Sequence, residues 1–232
     1  MSRVVITRPA GQGDALAARL RQAGHEALCV PALRIEPLPL ADADRRRLMD
    51  LDLYHAVFFV SANAAHQALE RIADLWPQWP VGLHWLAVGE STAAVIRAAG
   101  LTPEYPRQGF NSEAVLALPC LAGVADKRIL ICRGDGGRDW LAARLRERGA
   151  TVDVMPFYRR LPDPDRHWPA GADMVMITSV EGWRALADRV PAGATVIAAG
   201  ERVAAAVAAD HDGPLRVATS AHDADMLAAL AP

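Results

Sequence analysis

The fold of this 232-residue chain is decided by a stretch that occurs twice. Residues 6–31 read ITRPAGQGDALAARLRQAGHEALCVP, and residues 131–156 read ICRGDGGRDWLAARLRERGATVDVMP. The two copies align without a gap, 125 positions apart, and residues 16–21 are identical to residues 141–146. Each copy has a short apolar run, a Gly-rich turn, an amphipathic segment that ends at a glycine, and a second apolar run. This order predicts a β-α-β unit in each half of the chain.

Outside the two copies, short apolar runs continue to alternate with helical patterns. A Pro-containing stretch follows each copy, at about 33–39 and 157–162, and predicts an extended connector because proline disfavours helices and central strands. Gly89-Glu90 and Gly200-Glu201 form a second correspondence, in which a glycine follows a strand and opens a helix. Alternating strands and helices predict parallel sheets covered on both faces, and a repeat near half the chain length favours two domains.

Composition excludes several classes of protein. The chain is 52% hydrophobic and carries a formal net charge of −2, which disfavours nucleic-acid binding through clustered Lys and Arg. No apolar run approaches the roughly 18 residues that a membrane span needs, and the apolar run near residue 1 is too short for a signal peptide. We therefore expect a soluble cytoplasmic protein. The three cysteines and seven histidines show no metal-ligand spacing, and we predict no metal site.

The turns after the predicted strands are where function is expected, because ligands of parallel α/β sheets bind beyond the carboxyl ends of the strands. These turns are rich in residues that cap helix N-termini and leave N–H groups facing an anion. Capping alone accounts for any single turn, so only the whole set indicates a binding site. The candidate binding residues are Thr7, Arg8, Ser61, Ala62, Asn63, Gly89, Thr92, Ser112, Arg133, Gly134, Thr178, Ser179, Gly200 and Thr219.

Tyr158 is the candidate catalytic residue. It lies on the second connector, between Phe157 and Arg159, where two lobes would meet. A lone aromatic side chain at such a place commonly packs between neighbours. A connector of this kind would also line a cleft and put a phenolic donor beside a bound ligand. The residues alone leave both roles open.

Together these segments resemble the uroporphyrinogen-III synthase family over essentially the whole chain. No segment is specific alone, but their order and spacing carry the resemblance. They are Ile6-Thr7-Arg8-Pro9, the first connector, Phe59-Val60-Ser61, Ala87-Val88-Gly89 with Thr92, Asn111-Ser112, Arg133-Gly134, Pro156-Phe157-Tyr158, Ile177-Thr178-Ser179, Ala199-Gly200 and Thr219-Ser220. Val60 and Val203 depart from the family pattern, which usually has threonine there. Both departures are compatible with binding through backbone amides.

The resemblance implies a fold and a domain organisation. The fold is α/β, with two flavodoxin-like parallel-sheet lobes joined by a two-stranded linker. Carried onto this sequence, lobe one comprises residues 1–35 plus 163–232, and lobe two comprises residues 36–162. The two Pro-containing connectors agree with these limits.

The resemblance also implies a reaction. The family closes the linear tetrapyrrole hydroxymethylbilane to uroporphyrinogen III in haem biosynthesis, with inversion of ring D, loss of water and no cofactor. Tyr158 matches the family's candidate tyrosine, a proton donor to the departing hydroxide. The N–H-rich turns would hold the substrate's acetate and propionate groups. Independently of the resemblance, the composition predicts a cytoplasmic protein without nucleic-acid or membrane partners, and we take a monomer as the default.

Two other functions remain open. The first is a non-catalytic two-lobed module of the same fold that binds a small anion. The second is a nucleotide-binding Rossmann protein. The second is disfavoured because Gly11-Gln12-Gly13 lacks the full dinucleotide motif, and because Lys127, the only lysine in the chain, does not follow a phosphate-binding loop.

Overall fold

A computed structural model describes residues 1–108, 111–137, 139–163 and 167–230. The strands are β1 (Arg3–Ile6), β2 (Glu26–Cys29), β3 (Leu33–Pro37), β4 (Ala56–Phe59), β5 (His84–Ala87), β6 (Pro103–Glu104), β7 (Arg128–Gly134), β8 (Thr151–Pro162), β9 (Met174–Ile177), β10 (Thr195–Ala199) and β11 (Leu215–Ala218). The helices are α1 (Asp14–Gln22), α2 (Asp42–Met49), α3 (Ala62–Ala73), α4 (Glu90–Ala98), α5 (Ser112–Leu116), α6 (Trp140–Glu147), α7 (Val180–Arg184), α8 (Glu201–Ala208) and α9 (Asp223–Ala228). Short 3₁₀ turns cover Leu51–Leu53 and Pro119–Leu121. No helix in these described ranges is long and apolar enough to cross a bilayer.

The chain forms two compact units. One unit comprises Met1–Arg34 with Leu161–Pro232, and the other comprises Ile35–Arg160. We call them lobe one and lobe two. Lobe one is therefore built from both ends of the chain and lobe two from its middle.

Lobe one contains a five-stranded parallel sheet in the order β11-β10-β9-β1-β2. Read from β2 to β11 and renumbered in chain order within the lobe, this is the 2-1-3-4-5 order of flavodoxin-like folds. Lobe two has the order β3-β8-β7-β4-β5-β6, in which β8 to β6 are parallel. Strands β7 and β8 of lobe two occupy the places that β1 and β2 occupy in lobe one. The predicted α/β class with two parallel-sheet lobes is confirmed.

Each sheet is buried on both faces, as the continuous apolar runs of its strands require. In β4 all four residues are buried: Val57 and Phe59 pack on one face, and Ala56 and Phe58 on the other. In lobe one, the fully buried Trp183 belongs to one core cluster, and Ile6 belongs to the cluster on the opposite face. Helices therefore cover both faces of both sheets.

The connectors form a strand pair. The amide of Leu38 donates to the carbonyl of Phe157, and the amide of Asp163 donates to the carbonyl of Ala32, so β3 and β8 run antiparallel. The stretch at 157–162 is the second half of β8, a continuous strand of 12 residues, rather than a separate segment. Pro156 does not interrupt this strand even though it cannot donate a backbone hydrogen bond.

Candidate functional site

Tyr158 lies at the carboxyl end of β7, in contact with the turn that follows β4. Its side chain is only 2% exposed, and its hydroxyl is 3.1 Å from the Oγ of Ser61. Ser61 is the N-cap residue of α3, and its Oγ accepts a hydrogen bond from the amide of Ala64 at 3.1 Å. Either hydroxyl can be the donor in the bond between the two residues. Tyr158 and Ser61 therefore form a partly buried hydroxyl pair at a helix N-terminus.

Gly134 sets the position of the Tyr158 ring. A Cβ atom at residue 134 would lie 2.7 Å from Tyr158 Cζ and 3.1 Å from its hydroxyl oxygen. No side chain fits in that space without displacing the ring. Gly134, predicted as a binding residue, thus has a clear role in holding Tyr158.

An irregularity in β8 directs Tyr158 towards Gly134. Arg133 is in register with Pro156, but Gly134 is in register with Tyr158, so Phe157 is an extra residue in the pairing. Such a bulge interrupts the alternation of side chains between the two faces. Phe157 and Tyr158 are accordingly both buried, although they are consecutive. A strand without the bulge would point Tyr158 to the other face of the sheet.

Arg133 lies next to this centre. Its Nη1 donates to a carboxylate oxygen of Asp139 at 2.6 Å, while its buried Nε has no hydrogen-bond partner within the described ranges. Arg133, Ser112 and Asp139 line a cavity of about 30 Å³. A space of this size holds a water molecule or one oxygen of a carboxylate. The cavity therefore brings together two of the predicted binding residues.

The N-termini of α4 and α8 differ from those of α3, α5 and α7. Ser61, Asn111 and Ser179 cap α3, α5 and α7 with side-chain oxygens. Gly89 and Gly200, at the N-caps of α4 and α8, supply no such oxygen. The first-turn N–H groups of α4 and α8 are therefore not engaged by a capping side chain and can meet an anion. Gly200 has φ of 83°, a conformation that favours glycine.

Two predicted binding residues of lobe one take part in contacts within that lobe. The buried hydroxyl of Thr7 donates to the carbonyl of Met176 at 2.7 Å and joins the ends of β1 and β9. The Arg8 guanidinium, 15% exposed, donates to the Asp223 carboxylate and to the Ala221 carbonyl, both at 2.6 Å. Sequence reasoning did not identify Asp223, which lies 215 residues away from Arg8 and shows no motif.

The remaining predicted residues lie at the same edges with differing exposure. Ala62, Asn63 and Thr178 are partly exposed, and Thr219 is exposed beyond β11. Thr92, in the first turn of α4, is fully buried, and its hydroxyl has no partner among the residues that the structure describes. The structure thus brings Ser61, Gly134 and Tyr158 together, pairs Ser112 with Arg133, and places the others singly around the strand ends.

Comparison with known proteins decides the family. The family model described as uroporphyrinogen-III synthase HemD matches residues 14–228. The chain belongs to the uroporphyrinogen-III synthase family. The predicted family, and with it the predicted enzyme class, is confirmed. The Proteus mirabilis uroporphyrinogen-III synthase is 36% identical over 159 residues, covering 68% of this chain and 80% of the relative. The Escherichia coli enzyme of that name is 31% identical over 199 residues, covering 81% and 80%.

Solved structures agree on the fold. A mutant uroporphyrinogen III synthase from the extremely thermophilic bacterium Thermus thermophilus superposes with a TM-score of 0.62 at 19% identity, covering 99% of this chain and 97% of that one. The Helicobacter pylori protein gives 0.61 at 15% identity, covering 98% and 97%. At such identities the likeness supports the two-lobed α/β fold of the family.

Proposed function

We propose that this member of the uroporphyrinogen-III synthase family converts hydroxymethylbilane to uroporphyrinogen III, with inversion of ring D and loss of water. The observation that carries the proposal is the hydroxyl of Tyr158, held between Ser61 and Gly134 at the carboxyl edge of a parallel sheet. This edge is where ligands of such sheets bind. Family membership supplies the substrate class.

Tyr158 is proposed as the proton donor in the first step. The hydroxymethyl carbon of the substrate loses its oxygen as water when the phenol protonates it, and electrons of the adjacent pyrrole form the azafulvene. Ser61 then donates to the phenolate oxygen, because a phenolate has no proton and can only accept in the contact between the two residues. The pyrrole units release one proton when the ring closes through the spiro intermediate, and that proton restores the phenol.

The substrate's carboxylates are proposed to bind at the strand-end turns. The exposed first-turn residues of α4 and α8, which follow Gly89 and Gly200, offer N–H groups at the positive ends of helix dipoles. Arg133 and Ser112 offer a guanidinium and a hydroxyl beside their small cavity. The remaining predicted residues are proposed to make secondary contacts with the substrate. They are Thr7, Arg8, Ala62, Asn63, Thr92, Thr178, Ser179 and Thr219.

Incubation with enzymatically made hydroxymethylbilane, followed by isomer analysis of the oxidised porphyrin, tests the activity. We expect the type III isomer in excess over the type I isomer that forms spontaneously. Formation of type I alone, at the rate of a protein-free control, would leave a non-catalytic anion-binding module as the function. A non-catalytic module would bury Tyr158 in the same way, so the burial of Tyr158 does not distinguish the two functions.

We also propose that the chain is a cytoplasmic monomer that does not bind nucleic acid. The support is its formal net charge of −2 and a basic content that is not concentrated in one run. Size-exclusion chromatography with light scattering should give the mass of one chain. A mass of two or more chains at micromolar concentration would contradict the monomer.

A further inference from the structure

A cluster of metal-ligating side chains lies in lobe two, away from Tyr158. His84, Glu104 and Cys120 each offer one ligand atom, and these atoms lie within 4.8 Å of one another. His84 is the first residue of β5, Glu104 the last residue of β6, and Cys120 belongs to the 3₁₀ turn Pro119–Leu121. The cluster is therefore at the amino end of β5, whereas Gly89 follows its carboxyl end. Its members are too far apart in sequence to form a recognisable metal motif.

Strand register brings the first two residues together. Glu104 pairs with Leu86 in the parallel ladder of β5 and β6. Side chains alternate along a strand, so His84 and Leu86 share one face, and Glu104 shares that face with both. Leu86 packs in the same buried cluster as Leu121, the neighbour of Cys120. A rigid core thus fixes the backbone of all three ligands.

A second histidine supports the arrangement. The Nε2 of His55 is 2.9 Å from the carbonyl oxygen of Cys120, and its ring centroid is 4.8 Å from that of His84. Contacts of this kind, one shell away from a metal, fix the orientation of the ligands themselves. His55 therefore orients the Cys120 turn and packs against the His84 ring.

The three ligand groups lie close enough together to bind one cation. His84 Nδ1 is 2.5 Å from a Glu104 oxygen. The ligand atom of Cys120 lies within 4.8 Å of both of theirs. A divalent ion bound by all three would displace the thiol proton and compensate the negative charges of thiolate and carboxylate.

We propose that His84, Glu104 and Cys120 bind a Zn²⁺ ion, with a fourth position open to water. Nitrogen, sulfur and carboxylate oxygen are the ligands that Zn²⁺ takes in proteins. Tetrahedral ligands at zinc lie about 3.3–3.8 Å apart, so the His84–Glu104 pair has to open by about 1 Å. Both side chains are more than one-third exposed, which leaves room for that movement. The ion would join β5, β6 and the Cys120 turn, and so stabilise lobe two without entering the reaction.

Cobalt titration of the metal-free, full-length chain tests the site, because Co²⁺ bound to a thiolate gives a near-ultraviolet charge-transfer band. We expect one Co²⁺ per chain and loss of the band when Zn²⁺ is added. Cys120→Ser should abolish the band, and His84→Asn should weaken binding by about 100-fold or more. Cys29→Ser is the matched control: this thiol is 3.9 Å from the Asp14 carboxylate but belongs to no described three-ligand cluster, so the band should persist.

An absent band in the wild-type chain, or a band that survives Cys120→Ser, would overturn the proposal. So would loss of the band in Cys29→Ser. Far-UV circular dichroism verifies that each variant is folded; if Cys120→Ser does not fold, the wild-type and His84→Asn titrations decide. As an independent measurement, Zn²⁺ should raise the melting temperature of the wild-type chain but not that of His84→Asn. Equal melting shifts in both would place the ion elsewhere.

Discussion

At the scale of single residues, the proposed chemistry depends on the Tyr158 hydroxyl and on the two residues that hold it. Ser61 fixes the hydroxyl through a hydrogen bond, and Gly134 leaves space for the ring. Their sequence separations from Tyr158 are 97 and 24 residues. The arrangement therefore arises only when β4, β7 and β8 pair.

Tyr158→Phe removes the hydroxyl and keeps the ring. We expect the turnover of hydroxymethylbilane to fall by about 10- to 100-fold, at the modest end of general acid catalysis, with little change in melting temperature. Tyr54→Phe is the control, since its hydroxyl donates to Asp153 at 2.6 Å in the same lobe. It should lose about 1 kcal/mol of stability and keep its turnover. An unchanged rate in Tyr158→Phe would assign that residue to packing.

Gly134→Ala places a methyl group against the Tyr158 ring. The ring has to move, so we expect a loss of turnover at least as large as in Tyr158→Phe, together with about 1–3 kcal/mol of destabilisation. Gly123→Ala is the matched control, because a Cβ there would meet no atom within 4 Å. Isomer assays and thermal melts of both variants test this. Equal behaviour of the two would show that the close contact at Gly134 has no consequence.

The sequence predicted Tyr158 as the proton donor, but not that Ser61 and Gly134 contact it. Gly134 and Ser61 were predicted to bind substrate, and the geometry additionally makes them supports for Tyr158. Thr7 and Arg8 were predicted to bind as well, and their side chains are engaged by Met176 and Asp223. Such partners come from other strands and loops, and a single sequence contains no signal for them.

At the scale of elements, helix α9 is tied to the turn after β1 by the Arg8–Asp223 ion pair. Asp223→Ala releases the Arg8 guanidinium without removing its charge. We expect a stability loss of about 2 kcal/mol, since the pair is mostly buried, and unchanged or tighter substrate capture if Arg8 binds carboxylates. Arg8→Ala should lose the same stability and raise the KM. Melting temperatures and KM values of the two variants test whether Arg8 binds substrate. Equal KM values would show that Arg8 has only a structural role.

The helices and strands could be predicted where the periodicity of apolar residues determines the type of element. The repeated β-α-β units appear as β1-α1-β2 and β7-α6-β8, and the Gly-opened helices as α4 and α8. The continuous β8 and its bulge at Phe157 were not predicted. A bulge depends on the register with β7, and Pro156 suggested an interruption that the strand does not have.

At the scale of the whole molecule, each lobe has its own sheet and its own buried clusters on both faces. We therefore predict that the fragment Ile35–Arg160 folds alone, with a cooperative thermal transition and helical circular dichroism. The two segments of lobe one should fold when joined by a short linker, because Ala32 and Asp163 are hydrogen-bonded neighbours. Failure of the lobe-two fragment to fold, with the full chain stable, would contradict this. The predicted limits of 36–162 for that domain await the same experiment.

The shared strand layout also has a consequence for the chain's ancestry. At the constant offset of the repeat, the counterpart of Tyr158 in lobe one is Leu33, a buried residue with no polar group. In the first copy, strand β2 ends before Pro31. In the second copy, strand β8 continues past the corresponding proline and includes Tyr158. We infer that duplication of the β-α-β unit produced two scaffolds with the same architecture. One copy has an aliphatic side chain at this position, and the other has the tyrosine that we propose as the proton donor.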